Sequence, residues 1–241
     1  MRRFLVVTLF VLAGCGGTET SGDKNGEPQG TGTIEGWIHF DDVMPKNPER
    51  DDAGMLRDLL QVDPDTKGLA NVVVYLESVD GRALTASSDD ESTEVLIEQI
   101  DFTFVPDVIA VRAGQTVRFT NEDGHNHNVR AMSDDDRSMF NVMTTGDHDY
   151  ETTFELHPDG KPIYLTCDIH RWMRGWVYVF DHDFYQVTNE SGRYSFEDLA
   201  PGNYTVVIEQ PELGYRMVSE IVLPPGHTRI EKLKIPASYT K

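Results

Sequence analysis

Positive charge is scarce in this chain. Lysine and arginine together number 21 against 41 aspartates and glutamates, a formal net charge of −20 over 241 residues. A nucleic-acid binder needs the opposite sign, so that class is excluded, and an exposed acidic surface suits a basic partner instead. Cysteine is scarcer still, with only Cys15 and Cys167. Long apolar runs are also missing. The longest, Phe4 to Ala13, is too short to cross a bilayer, which takes ~20 residues. There is no phosphate loop, no nucleophile elbow and no HExxH, and no internal repeat.

The amino terminus carries Arg2 and Arg3, then the apolar stretch, then Leu12-Ala13-Gly14-Cys15. This resembles the signal and lipobox of a bacterial lipoprotein. The resemblance implies removal of residues 1–14, lipidation of Cys15, and an extracytoplasmic protein anchored on the periplasmic or cell-surface face of a membrane. Residues 15–30 are polar and read as a flexible tether. With Cys15 modified, Cys167 is a lone thiol in an exported chain, and a metal ligand is a good account of it, because coordination protects the sulfur.

Beyond the tether the pattern is β. Ile34 to Phe40, Val72 to Leu76, Val108 to Val111, Val117 to Phe119, Tyr164 to Thr166, Trp176 to Phe180, Arg193 to Phe196 and Tyr204 to Glu209 read as strands. Met55, Leu56, Leu59 and Leu60 are spaced for one face of a short helix in a polar insertion. An all-β, sandwich-type architecture follows. Thr33 to Ile38, Val187 to Phe196 with its Ser191-Gly192 turn, and Leu199-Ala200-Pro201-Gly202-Asn203-Tyr204 resemble a carboxypeptidase regulatory-like (transthyretin-like) sandwich. That sandwich would comprise residues 31–92 plus 184–237, split by a second domain at 94–182. The alternative is two consecutive sandwiches, with 31–182 as one unit.

The residues that carry chemistry lie between the two halves. Phe119-Thr120-Asn121 leads to His127-Asn128-Val129, and further on comes Cys167-Asp168-Ile169-His170-Arg171-Trp172-Met173. Two imidazoles, a thiolate and a thioether form a trigonal set with a weak axial donor, and soft sulfur ligands suit copper. Apolar Ile169, Trp172 and Trp176 are expected to keep water from the sulfur. The pattern resembles the cupredoxins, most closely the plastocyanin and amicyanin type, over residues 94–182. The resemblance implies a Greek-key β-sandwich with one type 1 (blue) copper ion held by His127, Cys167, His170 and Met173. His125 forms a His-x-His pair with His127 and is a possible additional ligand, although Asn128 and Val129 follow His127 as the family pattern requires.

These residues imply an electron carrier rather than an enzyme. His170 is expected to present its ring edge through an apolar patch. The expected partner is a redox protein such as a cytochrome, or a quinone- or dehydrogenase-linked oxidoreductase, with a basic docking surface. The alternatives are copper storage, delivery or sensing without redox cycling, and an adhesion or scaffold module with a vestigial site. Met132, Met139 and Met143 with His148 are read as strand and loop packing, and Asp134 to Asp136 as a solvated loop.

Overall fold

A computed structural model describes residues 30–85, 93–133, 137–157 and 159–236. The signal region, Cys15, most of the tether and Asp134 to Asp136 lie outside them. The described residues form nineteen strands and no helix. The first five are β1 (Gly32–Phe40), β2 (Lys46–Arg50), β3 (Leu56–Asp58), β4 (Val73–Val79) and β5 (Arg82–Ala83). Next come β6 (Val95–Ile100), β7 (Thr103–Val105), β8 (Val108–Arg112), β9 (Thr116–Asn121) and β10 (His127–Met132). They are followed by β11 (Ser138–Thr144), β12 (Tyr150–Thr153), β13 (Ile163–Thr166) and β14 (Arg174–Phe180). The last five are β15 (Tyr185–Val187), β16 (Arg193–Leu199), β17 (Gly202–Gln210), β18 (Tyr215–Leu223) and β19 (Thr228–Ile235).

Strands from the two ends of the chain pair with each other. One sheet runs β16-β1-β19; another runs β15-β4-β17-β18, with β5 beside β4. Alternation along β1 buries Ile34, Ile38 and Phe40, which join Leu76, Val206, Ile208 and Ile221 in one core. Gly68 and Gly192 let the two ends meet closely. A Cβ on Gly192, at φ +73°, would stand 2.1 Å from the Ile38 carbonyl oxygen, and one on Gly68 would strike the Ser191 backbone.

The strands between form their own pair of sheets, β11-β10-β13-β14-β8 and β12-β9-β6-β7. Their inner faces supply a separate core that includes Val111, Val117, Phe119, Ile163, Leu165 and Val177. A third cluster joins the two bodies. Val73, Tyr75, Tyr185 and Val187 pack against Val108, Tyr178 and Phe180, with Phe180 stacked on Tyr185 at 4.7 Å. Polar ties flank this seam: Tyr178 donates to Glu209 at 3.3 Å, Trp176 Nε1 donates to Glu212 at 3.1 Å, and Arg174 pairs with Glu212 at 2.9 Å.

The helix expected around Met55 to Leu60 is absent. Met55 and Leu56 lie in a short hairpin, β2-β3, and Leu59 and Leu60 follow it. The Asp51 side chain accepts the Met55 N–H at 2.8 Å, and the Asp51 N–H donates to the Met55 carbonyl. Such side-chain capture of the backbone competes with helical hydrogen bonding and closes a turn instead. The apolar spacing is real but serves another purpose: Leu60 is buried in the first core, while Met55 and Leu56 are exposed.

Asp107 sits at the seam, hydrogen-bonded by Asn71. Burial and the neighbouring Glu212 charge push its carboxyl up from 3.8 to about 7. A carboxyl held above its unfolded value contributes stability at low pH and loses it as pH rises through the folded value. Replacing Asp107 by Asn keeps an acceptor for Asn71 and removes the titration. The stability of Asp107→Asn relative to wild type should therefore increase between pH 4 and 7 and level off above, as read by urea unfolding across that range. A constant difference would contradict the assignment.

Candidate metal centre

The site forms where β10 starts and β13 ends. Asn121, the last residue of β9, donates from Nδ2 to the carbonyls of His125 at 2.9 Å and Thr144 at 3.0 Å, and its Oδ1 accepts the Asp123 N–H. This explains the Phe-x-Asn lead-in. The buried amide shapes the polar loop so that His127 enters β10 pointing inward, at 0% exposure. Pairing of β10 with β13 sets Arg130 opposite Thr166, which brings Cys167 to the same end of the sheet. The hairpin from β13 to β14 is closed by Thr166 opposite Arg174, and the loop that bears Cys167, His170 and Met173 lies between them.

Three side chains converge there. A ring nitrogen from each of His127 and His170 and the sulfur of Cys167 all lie within 4.8 Å of one another, and all three residues are buried. The two Nδ1 atoms stand 2.9 Å apart, and Cys167 Sγ lies 3.9 Å from His170 Nδ1. Donors bound to one ion by bonds of ~2.0 to 2.3 Å are separated by ~3 to 4 Å, so these residues fit a single small metal ion. Met173 is fully buried in the same core as Cys167, and its N–H donates to the His170 carbonyl at 2.9 Å. His125 is exposed and lies outside the converging group; its ring rests on Phe102 at 5.1 Å.

Hydrogen bonds surround the three donors. The His170 N–H points to Cys167 Sγ at 3.4 Å. Asn128 Oδ1 accepts from the Cys167 thiol at 3.3 Å and from the Asp168 N–H at 2.8 Å, while its Nδ2 donates to Asn141 at 2.7 Å. Burial and the adjacent His127 ring push the His170 imidazole below its ordinary value. Burial tends to raise the Asp123 carboxyl, but hydrogen bonds from the Phe102 N–H, His127 and the Asp101 N–H hold it below the usual carboxylate value.

The expectations about apolar shielding change in detail. Ile169 is 48% exposed and shields little. Trp176 packs in the seam between the two bodies. Trp172 does cover the site, with its ring 5.2 Å from His170. The sequence reading missed Phe102, whose ring meets His170 at 4.8 Å, His127 at 5.4 Å and Trp172 at 6.3 Å. It also missed Asn47, a buried residue of β2 that donates to the Trp172 carbonyl at 2.8 Å. Together they leave His170 only 8% exposed, so its ring edge is not the open patch expected. Met139 and Met143 are exposed rather than packed, on the outer face of β11.

Residues 91–180 match the sequence profile of the copper binding proteins, plastocyanin/azurin family. Copper therefore accords with both the donor set and this match. No curated protein matches the chain. Among solved structures, amicyanin from Paracoccus versutus is 22% identical, with 46% of this chain and 99% of that one covered at a TM-score of 0.33. The purple cupredoxin from Nitrosopumilus maritimus is also 22% identical, covering 36% and 99% at 0.32. With TM-scores this low, the two structures add nothing to the argument from the site itself.

Asn128 is 4% exposed and links β10, β11 and the ligand loop. Removing its amide breaks three hydrogen bonds, one of them to the buried Cys167, so Asn128→Ala should lower stability by ~1 to 3 kcal/mol. Denaturant unfolding of the metal-free protein checks this; an unchanged midpoint would show that the links carry no weight.

Proposed function

We propose that the chain carries one type 1 copper ion on His127, Cys167 and His170, with Met173 as the weak axial ligand, and passes single electrons between extracytoplasmic redox proteins. The observation that carries this reading is the buried convergence of one sulfur and two imidazole nitrogens within 4.8 Å. Copper bound there would alternate between Cu(I) and Cu(II). The protein's part is to hold the donors still, because His127 comes from β10 and the others from a loop closed by the β13-β14 hairpin. Small reorganisation of the ligands suits electron exchange. Burial of Cys167 and His127 also disfavours easy release of the ion, which speaks against delivery.

Electrons enter and leave near His170, through the Phe102 and Trp172 rings that cover it. The net charge of −20 favours a partner with a basic docking face, such as a cytochrome. Leu12 to Cys15 support lipidation of Cys15 and attachment to a bacterial membrane. The pairing of strands from 32–83 with those from 185–235 supports a regulatory-like sandwich, 31–92 plus 184–237, interrupted by a cupredoxin domain at 94–182.

Adding Cu(II) to the purified chain should produce an intense visible charge-transfer band from a copper–thiolate bond. Cys167→Ala should abolish that band, His125→Ala should leave it in place, and Met173→Gln should shift it. A wild-type protein that binds Cu(II) without the band would sink the proposal.

A further inference from the structure

We propose that Asp123 is the positioning residue of this metal centre: its carboxylate holds His127 with Nδ1 toward the ion and pins Phe102 over the ligand pair. This rests on the copper reading above.

Three hydrogen bonds converge on one carboxylate that is 10% exposed. Oδ2 lies 2.8 Å from His127 Nε2 and 2.9 Å from the Phe102 N–H, and Oδ1 accepts the Asp101 N–H at 2.8 Å. An ionised carboxylate only accepts, so the first contact assigns the His127 proton to Nε2. With Nε2–H donating to an anion, the lone pair is on Nδ1, the atom that faces His170 Nδ1 at 2.9 Å. The other two contacts act on the turn between β6 and β7. Asp101 and Phe102 both have left-handed backbones, at φ 52° and 57°, which non-glycine residues adopt only when something holds them. The carboxylate does so by accepting both of their N–H groups. The turn so fixed puts the Phe102 ring against His127, His170 and Trp172. One side chain thus orients a ligand and places the ring that covers it. Arg57, reaching from β3 to the Asp101 carbonyl at 2.8 Å, braces the same turn from the other body.

A negative charge one hydrogen bond from a ligand favours Cu(II), the more positive state, and makes the imidazole a stronger donor to it. Both effects lower the reduction potential. Asp123→Asn keeps an oxygen acceptor and removes the charge. In the copper-loaded full chain, this variant should keep the visible band while its Cu(II) affinity, measured by chelator competition, falls ~10- to 100-fold. Cu(I) affinity should change less, so the potential in a redox titration should rise correspondingly. Affinities and potential equal to wild type would overturn the assignment while leaving the copper reading intact. Loss of the band from wild type itself would instead remove the copper reading. If Asp123→Asn does not fold, the test passes to nitrogen-15 NMR of wild type with Cu(I). There the His127 proton should sit on Nε2 and exchange slowly with solvent, and a proton exchanging as fast as that of exposed His125 would overturn the proposal.

Discussion

The site depends above all on the register between β10 and β13. Arg130 faces Thr166, Ala131 faces Leu165 and Met132 faces Tyr164, and from that alignment His127 and Cys167 arrive at one end of the sheet, both facing the core. A slip of one residue would turn one of the two strands inside out and send either imidazole or sulfur to solvent. The register is held from both sides. Burial of Val129, Ala131 and Leu165 fixes which face is inward, and Asn128 ties the strand end to the ligand loop.

Around that alignment the chain builds a closed pocket from distant segments. Asn121 shapes the loop before His127, Asp123 joins that loop to the turn before β7, and Phe102 and Trp172 cover His170. The hairpin β2-β3, which belongs by sequence to the first part of the chain, adds Asn47 to the Trp172 carbonyl and pairs Glu49 with Arg171 at 3.3 Å. Surface ion pairs of this kind are worth little, but a buried amide on a ligand-loop carbonyl restrains that loop where it matters. The two bodies are therefore coupled at the centre as well as along the aromatic seam of Tyr75, Phe180 and Tyr185.

Much of this was legible in the sequence. The strands around Phe119, Leu165 and Val177 announced themselves by alternation, and the spacing of Cys167, His170 and Met173 marked a loop that could wrap an ion. What was not legible depended on meetings between remote residues. Nothing local to Phe102 says that its ring will meet two histidines, since that follows from a left-handed turn held by a carboxylate twenty-one positions away. Asn47 is similar, because its partner is Trp172 in another body. The spacing of Met55, Leu56, Leu59 and Leu60 misled for a different reason: side-chain capture by Asp51 overrode periodicity in a segment too short to nucleate a helix.

The central claim is that one sulfur and two imidazoles bind a single copper ion in this pocket. X-ray absorption at the copper edge reads the donor atoms directly, without reliance on colour. The account predicts one short copper–sulfur distance and two imidazole nitrogens, with the sulfur shell disappearing in Cys167→Ser. A first shell of nitrogen and oxygen alone in the wild-type protein would contradict it.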